Sequence, residues 1–198
     1  MRFGKLMGKN VFLSMILCSV ASFSLLHADN LKECESEEDK KAGCVEYSVV
    51  EDYMSETPYK DGKIEGILKS YYKGNLYLEI PFKNGVKHGI QKSYYKSGNL
   101  REETLYKNDE KEGVEKTYYP NGNLAIEIPY TNDKINGMIK CYNEEKKLIW
   151  QANAQNGNLT SGKCSSGKTL TNAHLTRLTN EIDEFEIGGD YWYDICKQ

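Results

Sequence analysis

Tryptophan occurs twice and histidine three times in 198 residues, and positive charge is not in excess, with 26 Lys and Arg against 29 Asp and Glu. Nucleic acid and anionic lipid are gripped mainly through clustered basic side chains, so this balance argues against nucleic acid as a partner. No Cys-x-x-Cys pair exists, and His88 and His174 lie far in sequence from any cysteine. A metal site therefore has no ligand set to draw on, and no cofactor is expected. Gly-x-Ser-x-Gly and His-Glu-x-x-His are both missing, His88 falls in a turn and His174 in a helical stretch, so no catalytic residue is expected either. Apolar residues make up only 39% of the chain, which speaks against a thick two-layer core.

The one long apolar run, Val11 to Leu26, follows Arg2, Lys5 and Lys9 and ends on Leu26-His27-Ala28. It is shorter than the ~20 apolar residues that span a bilayer. The pattern reads as a signal peptide over 1–28 cleaved near Ala28, leaving an exported chain, periplasmic or secreted. Leu17 before Cys18 argues against a lipid anchor there. Cleavage removes three of the 26 basic residues and no acidic one, so 23 stand against 29, a formal charge of −6. About 170 residues remain, enough for one domain. Among them are Cys34, Cys44, Cys141, Cys164 and Cys196, which in an exported chain read as disulfide material with one thiol left over. Cys34 with Cys44 is the easiest local pair; the pairing of the later three stays open.

What the chain has in abundance is tyrosine, 15 residues of it, set in a repeat. Residues 29–42 are polar and acidic, with a short helix. From 43 to 166 runs an array with units near 43–65, 66–88, 89–112, 113–136 and 137–161, the last four opened by Gly66, Gly89, Gly113 and Gly137, with Gly162 opening a fragment of a fifth glycine-led unit. After each glycine come an apolar residue, a lysine and a tyrosine pair: Tyr71-Tyr72, Tyr94-Tyr95, Tyr118-Tyr119, then Tyr142 alone. Each unit holds two extended runs and two turns such as Lys83-Asn84-Gly85 and Pro120-Asn121-Gly122-Asn123, which predicts consecutive antiparallel hairpins. Alternation places Leu76, Leu78, Ile80 and Phe82 on one face, as with Leu124, Ile126, Ile128 and Tyr130, and Leu148, Trp150, Ala152 and Ala154. That face should be apolar along the whole ribbon, with tyrosine columns on both faces. Pro58, Pro81 and Pro129 should sit at strand ends or bulges. Asn143-Glu144-Glu145-Lys146-Lys147 lacks the turn glycine, so the array should loosen toward its end.

The units 89–112 and 113–136, with Tyr-Tyr, x-Gly-Asn-Leu, a glutamate and Tyr-x-Asn-x before the next glycine, resemble the bacterial variant of MORN repeats. The resemblance implies a mainly β fold, a single-layer antiparallel meander of stacked hairpins, acting as a scaffold or binding surface without catalytic residues of its own. Some members are antitoxin components, a cytoplasmic role that the leader argues against. Residues 167–198 read as a C-terminal capping helix, about 170–186 with Leu175, Leu178, Ile182 and Phe185 on one face and Gly188-Gly189 ending it, then an aromatic tail.

Gly162 to Thr169 fits the P-loop pattern G-x-x-x-x-G-K-[ST], which would point to a bound nucleotide. The residues before it are polar rather than a buried strand, and too few follow to build a parallel sheet, so no nucleotide is expected. Glu79, Glu103 and Glu127 recur once per unit and read as a structural row answering Lys69, Lys92, Lys116 and Lys140 across strands. The tyrosines Tyr71, Tyr72, Tyr94, Tyr95, Tyr118, Tyr119 and Tyr142 form the candidate binding face. The expected partner is an envelope or extracellular protein, with a glycan as the alternative. Hairpin wall repeats that bind choline or glucan have paired aromatics too, but the repeated tryptophan they carry is missing here.

Overall fold

The computed structural model describes residues 31–182 and 194–196. The leader with its cleavage site, Phe185, Gly188-Gly189 and residues 191–193 of the aromatic tail lie outside them. A short helix α1 (Glu37–Ala42) precedes β1 (Cys44–Val50), β2 (Tyr53–Lys60), β3 (Lys63–Ile64), β4 (Gly66–Tyr72), β5 (Asn75–Lys83), β6 (Val86–Tyr94) and β7 (Leu100–Lys107). Then come β8 (Glu110–Lys111), β9 (Gly113–Tyr118), β10 (Leu124–Thr131), β11 (Lys134–Ile135), β12 (Gly137–Tyr142), β13 (Leu148–Gln155), β14 (Asn158–Cys164) and the helix α2 (Asn172–Glu181). They make one antiparallel sheet in the order β1-β2-β4-β5-β6-β7-β9-β10-β12-β13-β14, with β3, β8 and β11 as short extensions pairing β2, β7 and β10. Every neighbour in the sheet is a neighbour in sequence, the meander of hairpins that the repeat predicts.

The turns follow from residues that tolerate positive φ. Asn84 and Gly85 sit at φ 54° and 85°, and Asn108-Asp109, Asn132-Asp133 and Asn156-Gly157 repeat the pair, the two-residue hairpin geometry whose twist matches that of the strands. The other turn repeats as well. The Tyr95 amide donates to the Asn99 carbonyl and the Gly98 amide to the Tyr95 carbonyl, and Tyr119 and Gly122 do the same. Lys146, at φ 64°, takes the missing glycine's place and closes the identical turn on Asn143.

Two irregularities per unit shape the strands. After the first tyrosine, one extra residue enters the partner strand: Ser93 faces Glu102 while Tyr94 faces Leu100, and Thr117 faces Ile126 while Tyr118 faces Leu124. Such a bulge shifts the alternation by one. Leu76, Leu124 and Leu148 therefore share a face with Tyr71, Tyr118 and Tyr142 rather than with Leu78, Ile126 and Trp150, which corrects the simple alternation. At the other end, pairing of β5 with β6 breaks between Glu79 and Phe82, and Pro81, which has no amide to donate, stands in that gap. Gly89 lies opposite at φ 123°, where a Cβ would be 3.0 Å from the Pro81 ring; Gly66 and Gly137 meet Pro58 and Pro129 at 3.3 and 3.0 Å. Three of the four repeat glycines thus make room for prolines, while Gly113 faces Leu105 at 3.4 Å. Gly162 does not continue their series: Lys163 occupies the register of the repeat lysine opposite Gln151, and Thr160 fills the bulge.

The core is concentrated at the C-terminal end. Ile126, Ile128, Ile139, Cys141, Trp150 and Ala152 on the sheet meet Leu170, Leu175, Leu178 and Ile182 from α2 and its approach, all buried. Thr171 caps the helix by accepting from the His174 amide. A disulfide from Cys164 to Cys196 pins the chain beyond the helix to β14. The array therefore does not loosen toward its end; that end is the best packed, because α2 covers it. Nor is the covered face apolar throughout: Glu102, Thr104, Glu115 and Thr117 interrupt it at β7 and β9. Buried Glu115 accepts from Thr104 Oγ1 at 2.9 Å and pairs with Lys111 Nζ at 2.8 Å. At the other end, residues 31–34 lie beside β1, and a disulfide joins Cys34 to Cys44.

Candidate binding surface

The face that α2 leaves open carries three parallel rows that cross every central strand. In the middle row lysines and glutamates alternate: Glu56, Lys69, Glu79, Lys92, Glu103, Lys116, Glu127 and Lys140 are successive cross-strand partners, and Gln151 follows Lys140. Ion pairs close at 3.3 Å for Lys116 with Glu103 and 3.8 Å for Lys140 with Glu127. The row is a structural ladder, as its periodicity suggests.

On one side of it stand the first tyrosines. Each lies two residues beyond the lysine, hence diagonal to a glutamate on the preceding strand, within reach of a long side chain. Tyr71 donates to Glu56 at 3.3 Å, Tyr94 to Glu79 at 2.6 Å, Tyr118 to Glu103 at 2.7 Å and Tyr142 to Glu127 at 3.0 Å. Burial, then the bond to Glu79, pushes the Tyr94 phenol up to about 12, and burial with Glu127 does the same for Tyr142. Tyr71 and Tyr118 are raised in the same way, burial first. The hydrogen bond from Tyr118, helped by Lys116, holds Glu103 below the usual carboxylate range.

The second tyrosines lie on the other side of the sheet. Tyr95 donates to the Tyr118 carbonyl at 2.5 Å, and Tyr119 to the Tyr142 carbonyl at 2.6 Å, so each ties its unit to the next. The seven tyrosines are thus split between two faces. Tyr71 and Tyr119 are buried, with 4% and 2% of their surface exposed, and present no ring to a partner. Tyr72, Tyr94, Tyr95, Tyr118 and Tyr142 are half-buried.

The third row was not singled out from the sequence, and it is the most exposed apolar feature of the open face. Ile67 is 50% exposed, Ile90 49%, Leu105 39%, Val114 45% and Met138 39%, with Pro81 and Pro129 on the strands between them. Direct pairs include Ile67 with Pro81, Ile90 with Leu105 and Val114 with Pro129. The signal was present: an apolar residue follows each repeat glycine, two before the lysine, on the lysine's face.

Gly162 to Thr169 is strand and turn, with α2 starting beyond it at Asn172. The amides of Cys164, Ser165 and Gly167 donate to the carbonyls of Lys168, Ile149 and Cys164, so they do not form a phosphate cradle. Cys141 is free and buried in the core, which pushes its thiol up to about 12. Among the described residues no cluster of three metal-ligating side chains occurs, and no helix is long and apolar enough to cross a membrane.

Residues 87–108 and 111–132 match the family described as MORN repeat variant, a non-enzymatic repeat type. No curated protein is similar to the chain. Several solved structures resemble it slightly. Among them, the GtfA/B complex bound to UDP and GlcNAc is 10% identical over 62% of this chain and 26% of that one, at a TM-score of 0.26. Accessory secretory protein 1, 2 and 3 of Streptococcus pneumoniae is 10% identical over 82% and 28%, at 0.24. The chain spans about a quarter of the length of each.

Proposed function

We propose that this MORN-type repeat chain is an exported, non-catalytic scaffold that binds an envelope or extracellular protein across the open face of its sheet, the partner presenting an amphipathic helix laid across the strands. The apolar row of Ile67, Ile90, Leu105, Val114 and Met138 carries the reading, because exposed apolar side chains are aligned there rather than scattered. Adjacent strands advance the row by ~4.8 Å, close to the 5.4 Å pitch of an α-helix, so one apolar residue per helical turn meets one row residue per strand. The neighbouring ladder offers alternating Lys and Glu, which selects a helix of mixed rather than single charge. Two disulfides support an oxidising compartment.

A photoreactive residue at position 90 tests this in intact cells, with position 50 on the sheet edge as control. Adducts should form from 90 and be lost with Val114→Asp, and the cross-linked partner segment should carry apolar residues at i, i+4 and i+7. Equal adducts from both positions, or none from 90, would sink the reading. Export is read from the mass of the purified chain, which should begin at Asp29.

A further inference from the structure

A second surface lies on the opposite side of the sheet, at the N-terminal end that α2 does not reach. The Tyr53 and Tyr72 rings meet at 4.8 Å with a tilt of 42°, and Tyr77 stands edge-on to Tyr53 at 6.0 Å and 78°. Tyr53 is 51% exposed although it sits in this ring cluster. The Tyr53–Tyr77 pair divides two depressions. One, of about 280 Å³, is walled by Tyr72 and Tyr95 with Asn75 and Lys96 at its rim. The other, of about 330 Å³, is lined by Ser48, Ser55 and Ser70, which are successive cross-strand partners and so line up across three strands.

We infer that this cluster is a carbohydrate site taking adjacent hexopyranose units of a glycan, one on each side of the Tyr53–Tyr77 pair. A pyranose presents a flat array of C–H groups to an aromatic face and a rim of hydroxyls that both donate and accept. The tyrosine rings supply the first contact, and the serine hydroxyls, the Asn75 amide and the Lys96 ammonium supply the second. The two volumes sit near the lower end of the range for small-ligand pockets, in keeping with one or two sugar units each. A cationic ligand fits worse, because Lys73 Nζ already lies 5.4 Å from the Tyr72 centroid, held by Asp52 at 3.2 Å. A proline-rich peptide also packs on aromatic grooves, but its prolines carry no N–H and would meet the serine hydroxyls with carbonyls alone. The covered face explains why the site is here. The row that begins with Ser48, Ser55 and Ser70 runs on through Leu78, Ser93, Glu102 and Thr117 to Ile126, Cys141 and Trp150, where α2 closes over it. Its bare part is mostly small hydroxyl residues, interrupted by Leu78 and Glu102, and its covered part is apolar.

The disulfide-intact chain is titrated with chitotetraose, cellotetraose and a proline-rich decapeptide, followed by calorimetry. At least one tetrasaccharide should bind, Tyr53→Ala and Tyr77→Ala should each weaken it roughly tenfold or more, and Tyr53→Phe should stay within about twofold, since a ring without the hydroxyl still stacks. Near-ultraviolet circular dichroism checks that the alanine variants keep the fold. Ile90→Asp, on the other face, should leave sugar affinity unchanged, which separates this site from the proposed helix dock. No binding of either sugar at millimolar concentration, binding of the peptide alone, or wild-type affinity in folded Tyr53→Ala would each overturn the assignment.

Discussion

A methyl group added at Gly89 would stand 3.0 Å from Pro81 Cγ on a backbone held at φ 123°, whereas at Gly98, at φ 86°, it would meet nothing within 4 Å. Both positions are strained for any L side chain, but only the first is also blocked. Gly98→Ala should cost about 1–2 kcal/mol from backbone strain alone. Gly89→Ala should cost clearly more, about 2–4 kcal/mol, as the clash adds to the strain. Denaturant midpoints measure both, and Pro81→Ala in the Gly89→Ala background should recover only the steric part. Equal losses at the two glycines would mean that the proline contact has no energetic weight. At this scale the sequence is readable in part. That glycine recurs every 23 or 24 residues from Gly66 to Gly137 is plain from the chain, but for three of these four its partner is a proline eight residues earlier on the neighbouring strand. No local pattern shows that, because it depends on where pairing breaks. The P-loop pattern misleads for the same reason: Gly162, Gly167 and Lys168 are adjacent in the string but serve a strand and a turn.

Neighbouring strands are tied by the phenol row as well as by their ladders. Each first tyrosine reaches back to a glutamate on the strand before it, four times over. An unperturbed tyrosine ionises near pH ~10; in the fold Tyr94 and Tyr142 rise to about 12, and Tyr71 and Tyr118 are also raised. The folded chain therefore holds these protons more tightly than the unfolded one. Their contribution is complete below about pH 10 and is lost as pH climbs through the folded values. Denaturant midpoints should stay level from about pH 8 to 10 and fall steeply above, together with the rise of tyrosinate absorbance. Tyr118→Phe should lower the unfolding free energy at neutral pH by about 1 kcal/mol, read from the midpoint and slope, and flatten the alkaline fall. A midpoint unchanged to about pH 11.5 would count against the row. The strands themselves were legible, since period-two alternation and Asn-Gly turns are written locally. The bulge after each tyrosine was not: it inserts one residue without a composition signal, and it moves Leu76, Leu124 and Leu148 to the tyrosine face. That shift separates the tyrosine row of the open face from the Leu78, Ile126 and Trp150 row behind it.

Across the whole molecule, burial is graded. Every member of the main hydrophobic cluster lies at or beyond Ile126, while most side chains of β4 to β6 are half-buried or exposed. The repeat alone does not disclose this gradient, because four nearly equal units suggest four nearly equal stabilities. The unit that departs most, at Asn143 to Lys147, suggests a frayed end. The gradient comes instead from α2 and the Cys164–Cys196 disulfide, which add a second layer over one half only. A stacked array has stability that sums over units and their interfaces, so an uneven second layer should leave uneven local stability. Native-state hydrogen exchange should find the amides of β10, β12 and β13 slowest, with those of β4 to β6 opening at least ~1.4 kcal/mol more easily, a tenfold difference in rate. Leu178→Ala, which removes a fully buried contact of α2, should cost about 2–4 kcal/mol and erase most of that difference while leaving β4 to β6 nearly unchanged. Uniform protection along the sheet would show instead that the ladders couple all units into one cooperative block. In that case the bare N-terminal half would be as rigid as the covered one, and it would present the open-face row and the tyrosine cluster on a platform that α2 does not need to brace.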